Sequence, residues 1–116
     1  MKTLGSHNYL VYIVTNKNKT VLYTGITNDM GRRLFEHEEA SRPFKYSSFA
    51  GHYNSYFLLY YERFEFVEDA IAREKEIKGW RREKKLELIK TKNPDWFILN
   101  AEICGEWPPK EIRMRY

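Results

Sequence analysis

The chain has 116 residues, a formal net charge of +4 and an isoelectric point of about 9.1. This length fits one domain with a real core but not two, so we expect a single domain over 1–116 with its core at about 8–100. A single cysteine, Cys104, excludes an internal disulfide, and no apolar run is long enough to span a membrane. The start of the chain lacks the apolar segment of a signal peptide, so we expect a cytoplasmic protein with no membrane partner.

Two β-strands are predicted over residues 9–14 and 21–26, where β-branched and aromatic residues dominate. The Asn- and Lys-rich segment between them is short enough to join them as an antiparallel hairpin. Alternation along the first strand places Val11 and Ile13 on one face and Tyr12 on the other.

The stretch over residues 22–37, LYTGITNDMGRRLFEH, predicts a strand, a tight turn and a helix. We interpret Gly25 as the turn glycine, and Asn28 or Asp29 as the cap of a helix over 29–40.

Arg33 and His37 are four residues apart on this helix and therefore share one face. If that face is directed at Tyr23, a phenol, a guanidinium and an imidazole surround one pocket. The alternative is an ordinary solvated helix face.

The second half of the chain predicts a loop, a third strand and two helices. The loop over 41–55 interleaves basic residues, including Lys45, with aromatics, which suits either a nucleic-acid groove or a loop held to the core by its rings. A strand is predicted over 56–62, central or covered by helices, followed by one helix from Val67 to a break at Gly79 and another over 81–91.

These two helices hold the excess positive charge of the chain. Residues 73–92 contain nine basic and four acidic side chains. A solvated amphipathic face would also carry mixed charges, but the excess of Lys and Arg favours contact with phosphates. The predicted nucleic-acid contacts in this region are Lys78, Arg81, Arg82, Lys84 and Lys85.

An ordered set of motifs runs through the chain: Tyr12, the tripeptide Tyr23-Thr24-Gly25, Arg33, His37, and Glu74 in an AxxxE helix. This set resembles the GIY-YIG nuclease superfamily. More closely, the chain looks like the small stand-alone single-domain branch, similar to the N-terminal domain of excinuclease C. The sequence departs from the family pattern in two places, since the first tripeptide, Val11-Tyr12-Ile13, lacks its glycine and Thr24 stands where isoleucine is usual.

The resemblance implies a small α/β (α+β) domain with a three-stranded antiparallel sheet flanked by helices, in a strand order left open. It also implies a metal-dependent endonuclease that hydrolyses DNA phosphodiester bonds. Because we identify no second domain, selectivity should rest on phosphates and DNA shape. We expect DNA as the partner, no protein partner, and a monomer or weak homodimer.

The resemblance also assigns roles to individual residues. Glu74 matches the metal-binding glutamate, and Mg²⁺ suits a lone carboxylate. Arg33 would stabilise charge on the phosphate, Tyr23 would position water or phosphate, and either Tyr12 or His37 would act as the general base. The late asparagine of the family matches Asn93, with Asn100 as an alternative, and we expect Asn93 to contact nucleic acid.

Simpler interpretations remain for each of these residues. Glu74 lies four residues before Lys78 and could be its surface ion-pair partner, while Tyr12 and Tyr23 could only pack the sheet. The alternative functions are a non-catalytic nucleic-acid-binding module that retains the fold, and a basic protein-interaction domain.

Overall fold

The computed structural model describes residues 8–40 and 55–104. The elements are β1 (Tyr9–Thr15), β2 (Leu22–Thr27), α1 (Met30–Ala40), β3 (Phe57–Phe64), α2 (Val67–Lys78), α3 (Arg82–Lys92) and α4 (Asn100–Cys104). The strands form one antiparallel sheet in the order β2-β1-β3. The predicted fold class is therefore confirmed, and β1 takes the central position.

Strand β1 is buried on both faces because helices cover both sides of the sheet. On one face, Val11 and Ile13 belong to a core that includes residues of α2 and α3. On the other face, Tyr12 belongs to a second core together with Met30 and Leu34 of α1. The alternation predicted for this strand is confirmed, and it places Tyr12 on the α1 side. Strand β3 lies at an edge and contributes to both cores.

A polar turn joins β1 to β2 and also anchors α3. Asn16 Oδ1 accepts hydrogen bonds from the backbone N–H groups of Thr20 at 2.8 Å and Val21 at 3.1 Å. Asn therefore supplies the local acceptor that a tight turn needs. The Arg82 guanidinium donates to the carbonyl oxygens of Thr20 at 3.1 Å and Lys19 at 3.3 Å. These bonds hold the start of α3 against the hairpin.

Helix α1 begins directly after β2 and is capped by Asp29. The Asp29 carboxylate accepts the backbone N–H of Arg32 at 3.1 Å, which satisfies a donor that the helix leaves unpaired. This contact identifies Asp29 as the cap of α1 in place of Asn28. It fixes the start of the helix, and therefore the positions of Arg33 and His37 on it.

The short helix α4 is absent from the sequence prediction, whose last element is the helix over 81–91. Leu99 N–H donates to Leu58 O at 2.8 Å, and Asn100 Oδ1 accepts the N–H of Leu58 at 2.7 Å. The segment is therefore held on the edge of β3 by tertiary contacts. Five residues are too few to show a helical period in the sequence.

The predicted loop over 41–55, including Lys45, lies outside the described residues except for its last position. None of the helices that the structure describes is long and apolar enough to cross a membrane.

Thr24 gives a direct test of the packing around β2. Its side chain is buried opposite Ile13, and its hydroxyl has no hydrogen-bond partner among the described residues. Because an unpaired buried hydroxyl is costly, we expect Thr24→Val to raise the free energy of unfolding by about 1 kcal/mol in urea denaturation. Thr27→Val is the control, since the Thr27 hydroxyl accepts the N–H of Asp29 at 3.0 Å and its loss should destabilise. A Thr24→Val protein less stable than wild type would contradict this packing.

Candidate active site

Gly25 makes room for the central side chain of the site. It lies directly opposite Tyr12 in the β1–β2 register. A Cβ atom at Gly25 would lie 2.5 Å from Tyr12 Cζ and still closer to the hydroxyl oxygen, which no packing allows. The interpretation of Gly25 as a turn residue is therefore wrong, because it lies inside β2 and lets the Tyr12 ring cross over the strand. A glycine inside a strand pattern is the signal for such an approach.

The Tyr12 hydroxyl is held between two side chains of α1. Arg33 Nε donates to it at 3.0 Å, and it lies 2.8 Å from His37 Nε2. Because a guanidinium can only donate, the phenol oxygen accepts from Arg33 and its own proton can point to His37. We assign the His37 tautomer with the proton on Nδ1, so that Nε2 accepts. The result is a hydrogen-bonded chain from Arg33 through Tyr12 to His37.

Tyr23 completes a cluster of three rings. Its ring centroid lies 6.5 Å from that of Tyr12 and 5.4 Å from that of His37, and the latter contact is edge-on. Tyr12 and His37 also meet edge-on at 5.8 Å. We call Tyr12, Tyr23 and His37 the ring cluster. The predicted meeting of a phenol, a guanidinium and an imidazole around one place is present in the structure.

Burial keeps the two titratable groups of this chain neutral. Burial, with a smaller contribution from Arg33, lowers the pKa of His37 to about 4. Burial also raises the pKa of Tyr12 to about 12; Arg33 opposes this rise, and the negative charge of Glu74 adds to it. Near pH 7, His37 is therefore a free base and Tyr12 is a phenol.

The lowered pKa of His37 predicts a specific acid sensitivity. The unfolded chain binds a proton at His37 near pH 6.5, whereas the folded chain does so only near pH 4. The unfolded state thus holds more protons between these values, so stability is lost as the pH falls from about 6.5 to about 4, by up to about 3 kcal/mol. Urea denaturation from pH 7 to pH 4 should show this loss, and His37→Gln should have a shallower pH dependence. Parallel curves for the two proteins would contradict the assignment.

Glu74 lies on α2, and its carboxylate is near the ring cluster. Its carboxylate is 15 % exposed and lies 3.0 Å from Lys78 Nζ. The same ammonium lies 5.9 Å from the centre of the Tyr23 ring, on the edge strand β2. The i,i+4 ion pair considered as the simpler interpretation is therefore present, but it lies against the ring cluster. The contribution of Glu74 to the pKa of Tyr12 supports the same placement.

The Glu74 carboxylate suits a metal ion that prefers oxygen ligands. Within the described ranges, no group of three or more His, Cys, Asp and Glu side chains could hold an ion. Closed zinc sites need such a group, whereas Mg²⁺ keeps several waters and binds through one or two carboxylates. Glu74 is partly exposed and offers carboxylate oxygens, so this side chain fits a divalent cation that prefers oxygen ligands.

Three predicted nucleic-acid residues have charges that act on one another, and one of them, Lys78, lies beside the ring cluster. Burial, followed by the positive charges of Arg82 and Lys78, lowers the pKa of Lys85. Lys78 faces Tyr23, and Arg82 is fixed on the hairpin turn. We call Lys78, Arg82 and Lys85 the basic strip. It leads from the ring cluster toward the turn between β1 and β2.

Arg81 and Lys84 lie elsewhere on the α2–α3 corner. With Trp80 they line a groove of about 500 Å³. Lys84 Nζ lies 4.4 Å from the centre of the Trp80 ring, a cation–π contact. The predicted basic residues therefore divide into two groups, of which only the basic strip adjoins the ring cluster.

Asn93 has a structural position instead of an exposed one. Its buried amide donates to the carbonyl oxygens of Leu59 and Phe97, both at 2.9 Å, and accepts the N–H of Phe97 at 2.9 Å. The prediction that Asn93 contacts nucleic acid is not supported by this placement. The alternative, Asn100, is likewise buried, and its side chain bonds to the backbone of β3 and of Tyr56.

Comparison with known proteins identifies the family of the chain. The GIY-YIG catalytic domain family matches residues 8–87, which include all the residues of the ring cluster and the basic strip. A UPF0213 protein of Staphylococcus saprophyticus, SSP2268, is 36% identical over 81 residues, covering 70% of this chain and 93% of that protein. A UPF0213 protein of Staphylococcus aureus is 36% identical over 83 residues, covering 72% and 95%.

A solved structure is similar over most of the chain. The solution NMR structure of the UPF0213 protein BH0048 from Bacillus halodurans superposes with a TM-score of 0.50 at 26% identity, covering 81% of this chain and 95% of that one. The family match alone extends over more than half of the chain. The chain therefore belongs to the GIY-YIG catalytic domain family, as its motifs predicted.

Proposed function

We propose that the protein is a metal-dependent endonuclease that hydrolyses phosphodiester bonds in DNA. The observation that carries this proposal is the hydrogen-bonded chain from Arg33 through Tyr12 to His37, with Glu74 close enough to act on the pKa of Tyr12. Family membership supports nuclease chemistry, and the basic strip supports an anionic substrate.

Tyr12 is the better candidate for the general base. His37 is only 1% exposed, and its Nε2 is already occupied by the Tyr12 hydroxyl. Tyr12 is buried as well, but its hydroxyl lies between the imidazole and the 34% exposed Arg33, so a proton arriving from the side of Arg33 meets the phenol before the imidazole. In our proposal, Tyr12 takes the proton of the attacking water as its own proton moves to His37 Nε2.

Arg33 has two tasks in this proposal. Its Nε donates to Tyr12, which favours negative charge on the phenol oxygen. Its side chain is also 34% exposed, and although Nη1 lies 3.3 Å from Glu36 Oε1, Nη2 can donate to a phosphate oxygen. A charged donor of this kind suits a phosphoryl group whose charge increases in the transition state.

Glu74 would hold Mg²⁺. Bound there, the cation would supply positive charge that stabilises the phosphoryl oxygens and the leaving group. A positive charge bound to Glu74 would help Tyr12 to release its proton, because burial and Glu74 both raise the pKa of Tyr12. Neutralising Glu74 removes one of these two causes and makes the phenol a better proton carrier.

Cleavage of DNA by matched variants tests the proposal. We expect Mg²⁺-dependent nicking of branched or single-stranded DNA, reduced at least about 100-fold in Glu74→Gln. Glu76→Gln is the control, since Glu76 lies on the same helix but pairs with Arg73 at 2.9 Å. Both variants remove one negative charge, so they differ only in position.

Three outcomes would overturn the assignment. If Glu74→Gln cleaves like wild type, a contaminating nuclease is the source of the activity. If wild type binds DNA in a salt-sensitive way but never cleaves it, the protein is a non-catalytic nucleic-acid-binding module. An absence of binding at low salt would favour the protein-interaction domain.

A further inference from the structure

Lys78 makes two contacts that the proposed function leaves unused. Its ammonium lies 3.0 Å from Glu74 Oε2 and 5.9 Å from the centre of the Tyr23 ring. The same charge also lowers the pKa of Lys85, so Lys78 lies near the other members of the basic strip. One lysine thus stands between the carboxylate, the ring cluster and the DNA-binding surface.

We infer that Lys78 is the resident counter-ion of Glu74, which must leave the carboxylate before a divalent cation binds there, and that the released ammonium then holds DNA phosphate. This inference rests on the proposed function, because it takes Glu74 as the metal ligand. Its physical basis is competition, since an ammonium and a divalent cation repel each other when both occupy one carboxylate.

The side chain of Lys78 is suited to this movement. It is 50% exposed, and a partly exposed i,i+4 ion pair is weak, so leaving Glu74 costs little. A lysine is also a flexible point charge with three rotatable donors. Arg82 differs, because its guanidinium is fixed by two backbone carbonyl oxygens of the hairpin turn. Of these two members of the basic strip, Lys78 is therefore the one whose charged group is paired with the carboxylate that a cation would bind.

The consequence is a coupling between metal binding and DNA binding. When Glu74 binds a cation, Lys78 becomes available for phosphate, so the cation should increase DNA affinity. The coupling is reciprocal, and DNA should increase the affinity for the cation by the same factor. Without the ammonium of Lys78, this gain should shrink.

Metal binding without DNA is the first test. We would titrate Mn²⁺ into wild type, Lys78→Gln, Lys75→Gln and Glu74→Gln and follow free Mn²⁺ by electron paramagnetic resonance. Lys78→Gln should bind Mn²⁺ about two- to fivefold more tightly than wild type, the range expected for losing a weak competing ion pair. Lys75→Gln removes the same charge from an exposed position of the same helix and should change the affinity less. Glu74→Gln should lose the site.

The variants separate failure of the inference from failure of the proposed function. If Glu74→Gln binds Mn²⁺ as wild type does, the proposed metal site is wrong. If Glu74→Gln loses binding but Lys78→Gln binds no more tightly than Lys75→Gln, the metal site stands and the role of Lys78 is wrong.

DNA affinity, measured with and without the non-cleaving cation Ca²⁺, is the second test. We expect Ca²⁺ to increase the affinity of wild type for DNA more than that of Lys78→Gln. An equal increase in both proteins would show that the released ammonium does not hold phosphate.

Discussion

Tyr12→Phe is expected to reduce DNA cleavage by at least about 100-fold, the lower end of what a positioned acid or base contributes. The ring of Tyr12 is fully buried between β2 and α1, so phenylalanine can keep its packing. The substitution removes only the hydroxyl, which accepts from Arg33 Nε and meets His37 Nε2. DNA affinity should stay near the wild-type value, because the basic strip is untouched.

Single-turnover cleavage is the appropriate measurement, with Tyr61→Phe as the matched control. The Tyr61 hydroxyl donates to Glu102 at 3.0 Å on the β3 side of the sheet, away from β2. Its loss should leave cleavage unchanged. Thermal unfolding of both variants would identify any loss of fold, since Tyr12→Phe leaves the buried His37 acceptor unpaired at a cost of about 1–3 kcal/mol. A folded Tyr12→Phe protein that cleaves within about threefold of wild type would exclude a proton-transfer role.

Gly25→Ala is expected to damage both stability and activity, although the residue bears no chemical group. The new methyl would lie 2.5 Å from Tyr12 Cζ and closer still to its hydroxyl oxygen, so either the ring or strand β2 must move. Overpacking of this kind costs about 1–3 kcal/mol in a filled core. Because the displaced hydroxyl would also lose Arg33 and His37, we expect cleavage to fall at least about 100-fold even at temperatures where the variant is folded.

Gly79→Ala provides the control for this substitution. Gly79 ends α2 with right-handed helical angles, φ −80° and ψ −7°, and its added Cβ would approach other atoms no closer than 3.6 Å. Alanine at such a site is tolerated and reduces the freedom of the unfolded chain, so stability should hold or rise. Urea denaturation and cleavage assays on both variants decide the point. Normal cleavage by Gly25→Ala would mean that the observed position of Tyr12 is not needed.

Local patterns in the sequence were sufficient to predict most of the helices and strands. The β-formers of β1 alternate between two faces as predicted, because each face meets its own core. The spacing of Arg33 and His37 placed both on one face of α1, and both reach the Tyr12 hydroxyl. These features follow from the helical repeat and from the alternation of a strand, and a short stretch of sequence is enough to identify either of them.

Features that depend on tertiary contact were not predictable in the same way. The strand order left no local signal, and Gly25 looked like a turn residue until its neighbour across the sheet was known. Asn93 is predicted to contact nucleic acid from its resemblance to the late asparagine of the family, but its amide closes a turn beneath β3. Helix α4 exists because its start is bonded to the edge of that strand.

The central claim is that Glu74 and the ring cluster form one metal-dependent site. Crystals soaked in Mn²⁺ and measured at the manganese absorption edge test it most directly. We predict an anomalous peak on the Glu74 carboxylate, on the side that faces Tyr12 and Tyr23, with Lys78 withdrawn from its 3.0 Å contact. A peak elsewhere at saturating Mn²⁺, with Glu74 still paired to Lys78, would contradict the account.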